Sequence, residues 1–305
     1  MMLFSFFNSI LVVGSLQQGL LYAVMALGIY ITFRILDLPD LTVDGSFVLG
    51  MAITAVITVK GHPILALFIA MLIGTIAGTT TGLLQTKMGI HPILSGILVM
   101  TALYSINLFI MGGKSNISLV GNDTIFMKLV KLVNLEDDFV KIILGIVICT
   151  LLTIVLTLIF KTRLGLAIRA TGDNEDMVRS SSINAEFTKC IGLAMGNSLV
   201  ALSGGLICQY NMFSDVTAGT GMVVIGLASV IIGEAFFGKR SVTIGFISTI
   251  VGSILYWLII AVALKINLFP AYALKLVSSI IVAFALLLPK LKENYKISQM
   301  KRRGR

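Results

Sequence analysis

Apolar residues run in long, nearly uncharged blocks at 11–33, 41–59, 64–86, 91–112, 139–160, 190–212, 222–238, 242–263 and 270–289. Blocks of this length bridge a hydrocarbon layer about 30 Å thick when helical, because in lipid each backbone N–H and C=O must find a partner within its own segment. The pattern predicts an all-α fold: a polytopic helical membrane protein of about 8–10 transmembrane segments. Two blocks are poor uninterrupted spans. The second begins Leu38-Pro39-Asp40-Leu41-Thr42-Val43-Asp44-Gly45-Ser46, and carboxylates, a proline and a glycine at membrane depth must face protein or water. The seventh, Gly221 to Gly238, is short, is approached through Ser214-Asp215-Val216-Thr217-Ala218-Gly219-Thr220, and carries Glu234. Both are expected to be broken or re-entrant helices. Their comparable places in the two halves of the chain fit a pathway built between structural repeats, although no close residue-level repeat is detectable.

Composition sharpens the class. Of 305 residues, 57% are hydrophobic and 12% charged, against about 25% charged in soluble domains, which excludes soluble enzymes and DNA-binding modules. The net charge of +9 is not a nucleic-acid signal, because Lys290, Lys292, Lys296, Lys301, Arg302, Arg303 and Arg305 against Glu293 place +6 of it in the last residues. A basic tail behind a last apolar block belongs on the cytoplasmic face, next to anionic lipid. Counting back through the blocks puts Lys239 and Arg240, the 161–189 connection, Lys87 and the Arg34–Asp40 turn inside, with the N-terminus outside. The 113–138 loop then lies outside with a charge of −1, from Lys114, Lys128 and Lys131 against Asp123, Glu136, Asp137 and Asp138. The expected organisation is a transmembrane domain over 1–290 with a cytoplasmic segment at 161–190, and a basic cytoplasmic tail at 291–305. Residues 1–33 hold no charge and no small-residue cleavage site, so this segment is expected to be retained.

Several patterns carry no chemistry. Cys149, Cys190 and Cys208 have neither paired nor metal-ligand spacing and read as reduced, packed thiols. His62 and His91 lack companion ligands, so no metal site is expected. Tyr256, Trp257 and Tyr272 read as packing or interface residues. Gly112-Gly113-Lys114-Ser115 ends like a phosphate-binding loop, but Leu108 stands where its first glycine belongs. The acceptor patterns at Asn116 and Asn122 read as chance. No constellation for catalysis is present, so the chain is expected to be no enzyme and to bind no cofactor.

Three sets of residues do carry an expectation. Asp44, with Gly45 and Ser46, and Gly219, Gly221 and Gly226 are candidates for bordering a translocation path. Asp44 admits two readings: a carboxylate that meets a solute ammonium, or the N-cap of the helix that begins at Gly45. Glu234 reads as an ion-pair partner of Lys239 or Arg240, and Arg34, Asp37 and Asp40 as a charge cluster at the inner boundary. Gly74, Gly78 and Gly82 recur every four residues and predict close helix packing. In the cytoplasmic connection, Asp173 and Asn174 are N-cap types. Glu175 and Asp176 follow in the first turn, and Arg179 lies four residues after Glu175, as in a short surface helix.

Four motifs in order, Leu16-Gln17-Gln18-Gly19-Leu20, Leu38 to Gly45, Arg169-Ala170-Thr171-Gly172-Asp173-Asn174 and Gly226-Leu227-Ala228-Ser229-Val230-Ile231-Ile232-Gly233-Glu234, resemble permease subunits of ABC-type importers. The resemblance covers about residues 16–290 and is to the branch with branched-chain amino acid, ribose and nucleoside permeases. Leu41-Thr42-Val43-Asp44-Gly45-Ser46 is most similar to permeases paired with lipoproteins for aromatic amino acids (tryptophan or tyrosine). It implies a homodimer in the bacterial cytoplasmic membrane, two ATP-binding cassette subunits carrying ATP and Mg, an external solute-binding lipoprotein, and contact with lipid but not nucleic acid. It also implies that Arg169, Gly172, Asp173, Asn174, Glu175, Met177, Arg179 and Ile183 couple to the ATPase. Ser180-Ser181-Ser182 departs from the small residue and glycine that relatives often carry there. The competing expectations are an ion-coupled secondary transporter, or a sugar or nucleoside solute for the same importer class.

Overall fold

The computed structural model describes residues 9–133, 136–238 and 241–265, with a few helical positions between 276 and 287. The expected last span at 270–289, apart from those positions, and the basic tail lie outside the described residues, as do Lys239 and Arg240. The elements are α1 Ser9–Ile29 with a π-helical end at Tyr30–Ile35, α2 Thr42–Val59, α3 Pro63–Thr86, α4 Pro92–Ile110, β1 Asn116–Ser118, α5 Ile125–Val133, α6 Asp137–Lys161, α7 Arg163–Asp173, α8 Glu175–Ser180, α9 Ala185–Asn211, β2 Phe213–Asp215, α10 Met222–Phe237 and α11 Val242–Lys265.

Among the described residues, seven helices are long and apolar enough to cross a membrane: α1 with its π-helical end, α2, α3, α4, α6, α9 and α11. The eighth, α10, has 16 residues, about 24 Å at 1.5 Å per residue, which is short of a full crossing. The second apolar block is therefore corrected in one respect: α2 runs unbroken from Thr42 to Val59. The interruption precedes it, where Pro39 bars the preceding residue from helical geometry and Asp37 takes a left-handed φ of 54°.

The helices sort into an inner and an outer set. In the most apolar window of α2 and of α9, 78% of residues are buried, against 17% for α6. The outer helices present bare apolar faces, such as Phe68, Leu72 and Ile76 on α3 and Ile146, Leu151 and Leu158 on α6, because lipid tails replace protein as their solvent. Inside, α9 packs against α1, α2 and α3. The α3–α9 seam is the glycine repeat: Cβ atoms at Gly74 and Gly82 would sit 2.6 Å from Asn197 O and 2.8 Å from Cys190 Cα, and one at Gly78 would strike Leu193 O.

The end of the bundle where α1 begins is tied by polar bonds. Gln17, in the first motif, donates to Asp138 Oδ1 at 3.0 Å and accepts from the Tyr210 hydroxyl at 2.8 Å, joining α1, α6 and α9. Asp137 and Asp138 in the first turn of α6 and Lys161 in its last complement its dipole. The 113–138 loop carries two elements its polarity hid. One is β1, paired antiparallel with β2 with Ile117 opposite Ser214; the other is the amphipathic α5.

The glycine seam leaves no room for a methyl group. Gly78→Ala is expected to lower stability by about 1–3 kcal/mol through overpacking, whereas Gly14→Ala, with open space around it, should be neutral or slightly stabilising. Thermal unfolding in detergent compares the two. Equal midpoints would refute the close packing.

Candidate functional site

The site begins where α2 does. Asp40 is buried; its Oδ1 accepts from Thr42 N at 2.9 Å and its Oδ2 from Asn197 Nδ2 at 2.6 Å. Asn197 Oδ1 in turn accepts from the Ser46 hydroxyl at 2.7 Å, and Thr42 and Thr81 share a hydroxyl bond of 2.8 Å. Asn197 lies halfway along α9, Ala185–Asn211, while Thr81 lies near the C-terminal end of α3, Pro63–Thr86, so the start of α2 is held by the interior of the bundle. The N–H of Thr42, one of the first-turn groups that helix geometry leaves without a partner, is met there by the Asp40 carboxylate. The polar residues Ser46 and Asn197 thus face one another inside the bundle.

A second helix starts at the same place. Gly221, at φ 88°, turns the chain into α10, and Asp44 reaches across to it. Asp44 Oδ2 accepts from Gly221 N at 3.0 Å and Oδ1 from Val223 N at 2.9 Å. Asp44 is thus a cap, but of α10 rather than of its own helix, where Leu41 is the N-cap residue and no side-chain cap bond forms. The positive dipole ends of α2 and α10 converge on one carboxylate. Gly219 packs directly on Asp44 O.

Beside Asp44 lies a cavity of about 270 Å³, lined by Gly45, Val48, Gly219 and Thr220 and by Met100, Thr101, Tyr104 and Asn107 of α4. The candidate path residues therefore divide. Asp44, Gly45 and Gly219 border the cavity, and Gly221 is bonded to Asp44. Ser46 points to Asn197, and Gly226 lies against Ile29 of α1, a packing contact away from the cavity. Sequence reasoning missed Asp40 as a buried group, and Asn197, Tyr104 and Asn107 altogether. The available signal was a lone asparagine within an apolar block, at both 107 and 197.

At the end of the bundle where α1 stops, Arg34 Nε meets Glu234 Oε1 at 2.6 Å, joining the π-helical end of α1 to the C-terminal turn of α10. The expected partners of Glu234, Lys239 and Arg240, lie outside the described residues. Nor do Arg34, Asp37 and Asp40 form one cluster: Asp40 bonds to Thr42 and Asn197, away from Arg34. Arg34, Glu234 and Tyr30 line a polar cavity of about 230 Å³ together with Arg169 and Asp173 of α7.

The 161–189 connection is folded and docked. Thr162 caps α7 through Gly165 N at 3.3 Å, and Asn174 ends α7 and caps α8 by accepting from Met177 N at 3.0 Å. Gly172 lies against Ile35 O, and Thr171 shares a 2.8 Å hydroxyl bond with Thr188, so α7 rests on both α1 and α9. Glu175 is bonded to Lys189 and Arg179. The Lys189 bond first, and Arg179 after it, hold its carboxyl below the ordinary range of 4.5 against the opposing effect of burial. This tie of α8 to α9 is therefore fully present at neutral pH and is lost only as pH falls through that lowered value. Ser182 takes a left-handed φ of 60°, the conformation that favours glycine. Leu166, Met177, Ile183 and Phe187 are exposed, and Arg169, Asp173, Asn174 and Arg179 are exposed around them. Among the described residues, no group of three or more His, Cys, Asp or Glu side chains could hold a metal ion.

The chain matches the family described as branched-chain amino acid transport system / permease component over residues 11–288. It belongs to this family of ABC-type permeases, multi-pass membrane proteins that are not themselves enzymes and that associate with an ATPase subunit and a binding protein. The tyrosine transport system permease protein of Clostridioides difficile (strain R20291) is 40% identical over 272 residues, 89% of this chain and 88% of that protein. The ribose import permease of Escherichia coli (strain K12) is 25% identical, with 79% of this chain and 73% of that protein covered. A probable branched-chain amino acid transport permease of Methanocaldococcus jannaschii is 24% identical, at 70% and 69% coverage. No solved structure matches the chain.

Because both oxygens of Asp44 are engaged, Asp44→Asn can satisfy only one of the two N–H groups, and Asp44→Ala neither. Each orphaned donor is expected to lower stability by about 1–3 kcal/mol, giving the order wild type, Asn, Ala in thermal unfolding. An Asn variant as stable as wild type would show that Asp44 does not cap α10.

Proposed function

We propose that the chain is the membrane-spanning subunit of an ATP-driven importer for an amino acid, with an aromatic amino acid of the tyrosine type as solute. The observation that carries this reading is the 40% identity, over most of both chains, to a tyrosine transport permease, against 25% to a ribose permease. Two copies form the path along their interface, two ATPase subunits holding ATP and Mg sit beneath them, and an external lipoprotein delivers the solute. The N-terminus and the 113–138 loop face outward and the C-terminal tail inward, in line with the charge asymmetry.

The geometry supplies a mechanical route. The exposed apolar side chains of Leu166, Met177, Ile183 and Phe187, rimmed by charge, form the surface that receives the ATPase. A push on α7 passes through Gly172 to the Ile35 carbonyl and through Thr171 to α9. From the π-helical end of α1 it passes through Arg34–Glu234 to α10. The N-terminus of α10 carries the displacement to Asp44 and the cavity beside it. Ion-coupled secondary transport needs no such surface.

Met177→Asp places a charge in the centre of this surface, at a side chain 54% exposed, without touching the fold. Uptake of L-tyrosine by the assembled importer is expected to fall at least about tenfold (about 1.4 kcal/mol) with membrane insertion intact. Wild-type uptake in this variant would sink the docking assignment. Orientation is tested separately: an impermeant thiol reagent should label a cysteine placed at Asn122 in intact cells and miss one at Gln299. The reverse pattern would overturn the topology.

A further inference from the structure

The glycine seam between α3 and α9 leaves a furrow beside it. The two helices run antiparallel, with Gly82 against Cys190, Gly78 against Leu193 and Gly74 against Asn197. Next to the seam, Thr75, Thr79 and Leu83 of α3 and Ile191 and Met195 of α9 line a cavity of about 630 Å³. Its lining runs from Lys87 to Thr75 on α3 and from Glu186 to Ser198 on α9, a step of twelve residue positions on each helix, or about 18 Å at 1.5 Å per residue. That is close to half of a hydrocarbon layer about 30 Å thick, the depth of one leaflet. Both helices are long and apolar enough to cross a membrane. The end of the furrow at Lys87 and Glu186, where α3 stops and α9 starts, therefore lies at a membrane surface, and the other end lies near the middle of the layer.

The two ends differ in chemistry. Along the furrow the Thr75, Thr79 and Thr86 hydroxyls donate to Met71 O, Thr75 O and Gly82 O at 2.9, 2.7 and 2.8 Å. These protons are spent on their own helix, so a guest meets no threonine donor there and lies against apolar groups such as Leu83, Ile191 and Met195. At the surface end stand Lys87 and Glu186, opposite charges lining the same cavity. Among the described residues neither is in an ion pair. A free amino acid would match the charged end and leave most of the length empty. An amphiphile with a zwitterionic head and an apolar tail matches both ends.

We infer that this furrow binds a membrane phospholipid whose headgroup carries a primary ammonium, with the phosphate at Lys87, the ammonium at Glu186 and one acyl chain along Leu83, Ile191 and Met195 towards Thr75. A basic side chain at a helix end takes the phosphate as a point charge. The carboxylate beside it favours a head with an ammonium and repels a purely anionic one. The site stands apart from the cavity beside Asp44 and does not depend on which solute is carried. Its place gives it a mechanical consequence: Glu186 opens α9 directly after the 161–189 connection, and Thr188 shares its 2.8 Å hydroxyl bond with Thr171 of α7, so the headgroup sits beside the joint between α7 and α9.

The two charges can be tested apart. The full importer in detergent is titrated with phosphatidylethanolamine or phosphatidylglycerol, bound lipid is counted by native mass spectrometry, and copurification of the ATPase checks assembly. The wild type is expected to hold phosphatidylethanolamine more tightly than phosphatidylglycerol. Lys87→Gln should weaken both lipids about tenfold, as for the loss of a hydrogen bond to a charged group. Glu186→Gln should weaken phosphatidylethanolamine alone and erase the preference. Thr79→Phe fills the furrow below the headgroup and should weaken both lipids with the two charges in place. Equal affinity of the wild type for the two lipids overturns the assignment, as does any of the three variants binding both as the wild type does. Displacement of bound phosphatidylethanolamine by L-tyrosine would make the furrow part of a solute path, and a disulfide between two copies in Thr79→Cys would put a second copy in the place of the lipid; either result also overturns it.

Discussion

Two helices that start against one another within the helical bundle impose the constraint on which the architecture depends. A helix begun at a membrane surface leaves its first N–H groups to water, but α2 and α10 begin at protein depth, where unmatched donors are strongly unfavourable. Carboxylates from a single short stretch answer the problem twice. Asp40 serves the start of α2 through Thr42 N, and Asp44 serves the start of α10 through Gly221 N and Val223 N. Two cap-bearing dipole ends directed at one point also favour a carboxylate there.

Much of this was legible in the sequence, and the failures share one cause. The apolar blocks specify spans because lipid leaves helices few alternatives, and the glycine repeat of α3 specifies a seam because only small residues let backbones meet. Asn174 and Glu175 announce α8 through local chemistry, which needs no tertiary knowledge. Asp44 was readable as a cap, yet the helix it caps lies 177 residues away, and no local pattern encodes that distance. The same holds for Arg34 and Glu234, for Asp40 and Asn197, and for Ser46, whose neighbours in sequence face the cavity while it faces α9. Gly226 misled for a different reason: a glycine beside a re-entrant start resembles a path residue, but the close approach it permits is to Ile29.

The seams differ in kind, and that difference assigns mobility. α3 and α9 are joined by backbone contacts at Gly74, Gly78 and Gly82, and α10 and α11 by equally close contacts at Gly233 against Ser248 and Gly252 against Ser229. Packed backbones of this sort resist sliding, so each pair behaves as a unit. The ties from α2 and from the end of α1 to α10 are instead long side chains: Asp44 to the start of α10, and Arg34 to Glu234. α1 touches both, with Gly28 against Gly196 of α9 and Gly19 against Ile254 of α11. Side-chain bonds can lengthen or exchange partners with little change in either unit, whereas a glycine seam cannot shift without collision. Displacement of α7 should therefore appear first at the two side-chain ties to α10, Arg34–Glu234 and Asp44–Gly221. The cavity beside Asp44, bounded by α2 and α4 on one side and by the approach to α10 on the other, lies next to the second of these ties.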